Sequence, residues 1–410
     1  MTETIETGWL LLICGVVGLV AVLSNRLTER FKVPAPLLVL TGAALAVNVS
    51  ARLHPLPEPV VERVVTIALV VILFDGGTHI GWTRLREAVV PTAALGILGT
   101  FMTAGGTAVM LHFAFGLDWY LALLVATAIA PTDPAVVFSV LGGKQLTGRC
   151  GTILEGESGA NDPVGIALMV SLIAAGSLSV SAFGDVGVQF LLQMLVGAGF
   201  GIAGGVALLW FTRAVSLPSL ALYPLRTLAC AFALYGVATV AHGSGFLAVF
   251  VAGIVIGDAS MPHRAEVVSF HAALASLGEI VAFVVLGLTI DLSELSHADV
   301  LVPGVVLGAA LAIAIRPAVV GICLAPVRLQ RNELPFIMFA GLKGAVPILL
   351  GEMLRATELP DAERLYAIVV VAVLFSVLVQ GSLVPTVASR FGLLVGQGGG
   401  QGGGQAGRTR

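Results

Sequence analysis

Segments of roughly 17–25 apolar residues, the length a helix needs to cross a bilayer, recur from one end of this chain to the other. They lie near 8–24, 33–49, 60–79, 89–114, 118–141, 151–175, 185–212, 219–241, 243–259, 266–290, 299–325, 334–354 and 365–388, about thirteen spans in 410 residues. No soluble domain fits between them. Only 11% of the residues are charged, 57% are hydrophobic and the mean hydropathy is +1.02, whereas a soluble domain is about one-quarter charged. The fold expected is an all-α polytopic membrane protein, with the lipid bilayer as its surroundings.

The net charge of −3 points to no partner, and no basic stripe suggests nucleic acid. Cys14, Cys230 and Cys323 fall in apolar spans and Cys150 at a span edge; their spacing fits neither a metal site nor a disulfide. No cofactor is expected. The acidic start, Met-Thr-Glu-Thr-Ile-Glu-Thr, lacks the basic region of a cleaved signal, so the first span is expected to stay. Residues 1–392 read as the membrane domain and 393–410 as a flexible Gly/Gln-rich tail, too short for a cytosolic sensor domain.

Lysine and arginine set orientation. One set of alternate connections carries Arg26, Arg30, Lys32, Arg84, Arg86, Lys144, Arg149, Arg213, Arg264, Arg328, Arg331 and Arg390; the other carries only Arg52, Arg63, Arg355 and Arg364. The N-terminus is therefore expected outside and the C-terminus inside. That arrangement suits an inverted repeat, about 8–175 and 219–388, joined by a linker helix at 185–212. The fifth span of each half is interrupted, by Ala130-Pro131-Thr132-Asp133-Pro134 and by Gly341-Leu342-Lys343-Gly344-Ala345-Val346-Pro347. Proline removes a backbone donor and clashes with the preceding turn. Paired broken helices at matching positions point to a transporter binding site. The opened ends leave helix dipoles that Asp133 and Lys343 are placed to compensate.

A second polar stretch, Gly151–Gly165, opens an apolar segment yet carries Glu155, Glu157, Ser158, Asn161 and Asp162. Ionisable groups in lipid are costly and tend to sit where they act. Residues four apart share a helix face, so Ser158 with Asp162, and Glu157 with Asn161, could offer oxygen ligands to a small cation. At ~1.5 Å per residue, Asp162, Asp133 and Lys343 lie roughly 16, 22 and 15 Å along their spans, near the middle of a hydrocarbon layer about 30 Å thick.

Glu157-Ser158-Gly159-Ala160-Asn161-Asp162-Pro163, with Pro131-Thr132-Asp133-Pro134, resembles the NhaP-type, electroneutral branch of the monovalent cation–proton antiporters. Phe74-Asp75-Gly76-Gly77, Ile315-Arg316-Pro317 and the second glycine-rich break extend the resemblance over nearly the whole chain. It implies that Asp162 binds Na⁺ or K⁺ or a proton, with Thr132, Ser158, Asn161 and Asp133 in the same site, Asn161 standing where electrogenic relatives have a second Asp. Glu157 and Arg316 would form a structural ion pair. A homodimer in the cell (inner) membrane, moving a core of broken helices against a scaffold, is implied on the same ground. A carboxylate in a poorly hydrated cavity holds its proton more tightly, so proton and cation compete for it, and one such group suits electroneutral one-for-one exchange.

Several roles stay open. Asp133 either touches the ion or only orients the break. Asp75 either lines the path or ends a span. Glu279, where relatives more often have a neutral residue, either pairs with Lys343 or faces a wet vestibule. Lys343 stands where arginine is common, which keeps the charge and loses the planar fork. Arg226 is expected to snorkel to the inner face, and the histidines to sit mostly at span ends. A symporter, a channel and a rhomboid-like serine protease built on Gly156-Glu157-Ser158-Gly159 are the rival readings; the protease needs a histidine on another span.

Overall fold

The computed structural model describes residues 15–23, 34–49, 56–141, 146–177 and 180–394, together with Gly8 and Leu12. Cys14, Arg26, Arg30, Lys32, Arg52, His54, Lys144 and residues 395–410 lie outside that set, as do residues 9–11, 13 and 24 of the expected first span.

The described chain is helical. α1 is Ala35–Val49, α2 Glu58–Ala93, and a π-helical turn at Ala94–Gly99 leads into α3, Thr100–Phe115. α4 (Trp119–Ile129) and α5 (Pro134–Leu141) flank the first break; α6 is Cys150–Ala175, α7 Val180–Ala214, α8 Leu222–Val240, α9 Gly245–Gly257 and α10 Arg264–Gly287. After the single turn of α11 (Leu292–Leu295), α12 (Ala298–Ala310) passes through a π turn, Leu311–Ile315, into α13, Arg316–Leu324. α14 (Glu333–Phe339) and α15 (Ala345–Arg355) flank the second break, and α16 (Ala362–Phe375) continues through a π turn at Ser376–Gln380 into α17, Gly381–Arg390. Among the described residues six helical stretches are long and apolar enough to cross a membrane, and α4 with α5, bent by 41°, makes a seventh.

Local chemistry sets the ends. Asp118 accepts from the Tyr120 N–H at 2.8 Å and Ser244 from Leu247 N–H at 3.2 Å, each satisfying an orphan donor of a first turn. Proline at 317 has no N–H to give, so a carbonyl of the preceding turn loses its bond and the ladder shifts register at Leu311–Ile315.

The structure bears on four expectations. α2 comprises two helices that meet at a kink, with non-helical dihedrals at Gly81 and Ala88, so the third and fourth spans part at the short connection that carries Arg84 and Arg86. Gly81 sits at φ +60°, and the space a Cβ would need is filled by the Asp258 carboxylate, which accepts from Thr83 N–H at 2.5 Å. Arg226 does not snorkel; it is buried between Phe211 and Tyr223 and donates to Val215 O at 2.7 Å. His271 is not at a span end but inside α10, buried, its Nε2 2.7 Å from Thr227 Oγ1. Leu393, the first residue of the expected tail, is buried and its carbonyl accepts from Thr147 N–H at 2.8 Å.

Candidate functional site

The two breaks meet. Ala130–Asp133 and Ala340–Gly344 are non-helical, and the Asp133 N–H donates to Leu342 O at 2.8 Å, tying one break to the other. Each opened helix end is then closed by a side chain. Lys343 Nζ donates to Ala130 O at 2.9 Å and Pro131 O at 3.1 Å, covering the carbonyl end of α4. The Asp133 carboxylate accepts from Ala135 N–H at 2.8 Å and faces the N–H groups of Val136 and Ala345, so it serves the amino ends of both α5 and α15. Gln380 Nε2 reaches Phe339 O at 2.5 Å and Arg316 Nη2 reaches Ile337 O at 3.2 Å, closing the carbonyl end of α14. Gly344 is needed here, since its missing Cβ is the room that Asp133 occupies. Helix ends left open in an apolar layer would leave unsatisfied backbone groups at several kcal/mol each. The charges at the breaks answer that cost.

α6 runs beside the crossing. Glu157 is 3% exposed and receives two guanidinium N–H bonds from Arg316, at 2.7 and 3.0 Å. Asn161 Nδ2 donates to Thr132 Oγ1 at 2.8 Å, while its Oδ1 is buried with no partner among the described residues. Five residues beyond Glu157, roughly 140° around the helix, Asp162 is 9% exposed. It makes no hydrogen bond or ion pair among the described residues, and the charges acting on it are those of Asp133 and Lys343. Ser158, one turn earlier on its face, is also buried and unbonded among the described residues. With Glu157 and Arg316 cancelling, Asp162, Asp133 and Lys343 sum to −1 when ionised. One monovalent cation or one proton balances that.

Of the other sequence candidates, Asp75 lies in α2 ahead of the Gly81 kink; its Oδ2 is 3.2 Å from His79 Nδ1 and its Oδ1 is buried without a partner among the described residues. Glu279 does not pair with Lys343, which is held by the two carbonyls. No described histidine bonds Ser158. Gln380 and Ser376, which accepts from Lys343 N–H at 3.2 Å, escaped sequence reasoning, since neither carries a charge or sits in a break. Toward the Ala175 end of α6 a cavity of about 620 Å³ opens, lined by Glu62, Thr66, Ile166, Gln193, Tyr235 and Leu349. Ile166 is one helical turn from Asp162.

Known proteins resemble this chain in sequence and in fold. The model of the transmembrane sodium/hydrogen exchanger family matches residues 15–390. The chain belongs to this family. It is 32% identical over 381 residues to the K⁺/H⁺ antiporter NhaP of Alkalimonas amylolytica, covering 92% of this chain and 66% of that protein. It is 34% identical over 327 residues to the K⁺/H⁺ antiporter NhaP2 of Shewanella baltica, covering 78% and 56%, and 29% identical over 387 residues to the low-affinity Na⁺/H⁺ antiporter NhaS1 of Synechocystis, covering 88% and 70%. The chain thus spans two thirds or less of the length of the first two relatives. Its fold matches that of the sodium proton antiporter MjNhaP1 from Methanocaldococcus jannaschii, with a TM-score of 0.74 at 22% identity over 93% of this chain and 99% of that one. The chain is thus a multi-pass member of the exchanger family.

Proposed function

We propose that this chain exchanges one monovalent cation, Na⁺ or K⁺, for one proton at Asp162, without net charge movement. The observation that carries the reading is the pairing contrast on α6: Glu157 is fully bonded, while Asp162, buried beside the crossing, has no partner of its own. A carboxylate in that position must hold either a proton or a cation, because an isolated buried charge is far too costly. Thr132, Ser158 and Asn161 supply neutral oxygens around the cation, which suits a hard monovalent ion, and Asp133 and Lys343 hold the crossing. The local sum of −1 supports one-for-one exchange. Relatives named for potassium and for sodium leave both cations as cargo.

The same reading gives about thirteen spans, with the inverted repeats at about 8–175 and 219–388 and a linker at 185–212. It places the N-terminus outside and the C-terminus in the cytoplasm of a cell whose inner membrane holds a homodimer. Alternating access follows from movement of the crossing-bearing helices against the rest. Proton flux in proteoliposomes under an imposed pH gradient, with Na⁺, K⁺ or Li⁺ added in turn, tests it. Dissipation by a cation without a change in membrane potential is expected in wild type, and silence in Asp162→Asn. Equal flux in the two proteins would discard Asp162 as the exchange group.

A further inference from the structure

The proposed exchange needs a way in from outside, and the cavity of about 620 Å³ beside α6 offers one. Its buried end is formed by Ile166 of α6 and Leu349 of α15, its exposed end by Glu62 of α2 with Gln189, Thr239 and His242. Ile166 and Asp162 are four residues apart and share a face of α6. The floor of the cavity therefore lies about 6 Å along the helix from the exchange carboxylate, at ~1.5 Å per residue. Among the described residues that line it, Glu62 is the one carboxylate, and no lysine or arginine joins it. Glu62 makes no hydrogen bond or ion pair among the described residues. Arg63 follows it about 100° around the helix and does not line the cavity. Arg355, two residues beyond the lining residue Met353, is already held: its guanidinium bonds Glu352 at 3.0 Å and lies 3.6 Å from Glu58 and 3.5 Å from Glu363. Glu58 is one helical turn before Glu62. Even with Glu352 left out, Glu58, Glu62 and Glu363 outnumber Arg63 and Arg355 at this end of the helices. A cleft with low-dielectric walls and one sign of charge focuses its field and concentrates the opposite ion.

We propose that Glu62 is the outer capture residue: cations arriving from outside enter through this cavity, and Glu62 concentrates Na⁺ or K⁺ at its mouth without joining the ligands at Asp162. The inference rests on Asp162 being the exchange group and on the Glu58 end of α2 facing outward. Cations arriving from the cytoplasm do not pass Glu62, so its effect belongs to one face of the membrane only.

The test uses right-side-out and everted membrane vesicles from cells without other antiporters, carrying wild type, Glu62→Gln, Glu62→Asp or Asp162→Asn. Initial rates of cation-driven proton movement are read against added Na⁺ and against added K⁺. At low ionic strength, losing one charge near the entering ion should raise the half-saturating cation concentration of Glu62→Gln in right-side-out vesicles on the order of threefold to tenfold. In everted vesicles it should not change. Added choline chloride should shrink the difference, because salt screens an exposed charge. Glu62→Asp should stay close to wild type. The maximal rate and the melting temperature of Glu62→Gln should hold, since no bond is lost. The route is tested separately at Thr66, one turn further along α2 and also lining the cavity. With the native cysteines replaced, Thr66→Cys should be modified by a membrane-impermeant cationic methanethiosulfonate added outside, and exchange should stop. No modification from outside overturns the proposal. So does a half-saturating concentration that is unchanged on both faces, or raised equally on both. Flux that Asp162→Asn abolishes and Glu62→Gln leaves unaltered on the outer face defeats only this inference. Wild-type flux in Asp162→Asn defeats the reading of Asp162 and this inference with it.

Discussion

Glu157 and Asp162 leave the same helix five residues apart, both buried, both carboxylates, and their surroundings differ completely. Glu157 points at α13 and takes two N–H bonds from Arg316; Asp162 points at the crossing and takes none. Bidentate pairing satisfies both ions and fixes α6 against α13. Leaving a carboxylate unpaired makes its charge available to whatever enters. The difference teaches that residue type does not assign the role here, and the partner does.

The sharpest test of that contrast is a pair of substitutions read on two axes. Asp162→Asn should abolish cation-coupled proton flux while leaving the melting temperature unchanged or higher, because no bond is lost and a neutral amide is cheaper to bury than a carboxylate. Glu157→Gln should do the reverse in kind, leaving the Arg316 guanidinium buried and unpaired at a cost of about 3–5 kcal/mol, seen as low yield and a lower melting temperature. Replacing both Glu157 and Arg316 by apolar residues of similar volume should recover much of that loss. A stable, transport-dead Glu157→Gln would break the comparison. A smaller effect is expected from Asn161→Ala, which removes the 2.8 Å bond to Thr132, worth about 1 kcal/mol; weaker cation affinity with near-normal stability is the expected result in a flux assay. The smallest belongs to Asp291, outside the spans. Hydrogen bonds from the Ser293 hydroxyl and N–H hold its carboxyl below the usual carboxylate range. Its contribution to stability is present above the unfolded pKa of about 4 and is lost as pH falls through the lower folded value. Melting curves of Asp291→Asn should therefore match wild type at low pH and lie slightly below it at neutral pH.

Much of this was legible because lipid makes both span length and charge expensive. The apolar runs gave the helices, and the prolines at 131 and 134 and the glycines at 341 and 344 gave the breaks. Asp162 stood out as a carboxylate at mid-span. What the sequence could not carry was contact between distant segments. Nothing in Gln380 or Ser376 says that a π turn carries them to Phe339 and Lys343, and nothing in Arg226 says that two aromatic rings and a carbonyl would retain it in the interior.

The crossing also has a history within each molecule. Lys343 closes the carbonyl end of α4 from 213 residues downstream, and Leu342 receives the Asp133 N–H from a similar distance. At 5–20 residues per second, roughly 10–40 s of synthesis separate the two breaks. During that interval the first break sits in the membrane with the carbonyls of Ala130 and Pro131 unanswered, so water, lipid headgroups or the insertion machinery must occupy the places that the second half of the chain will later claim.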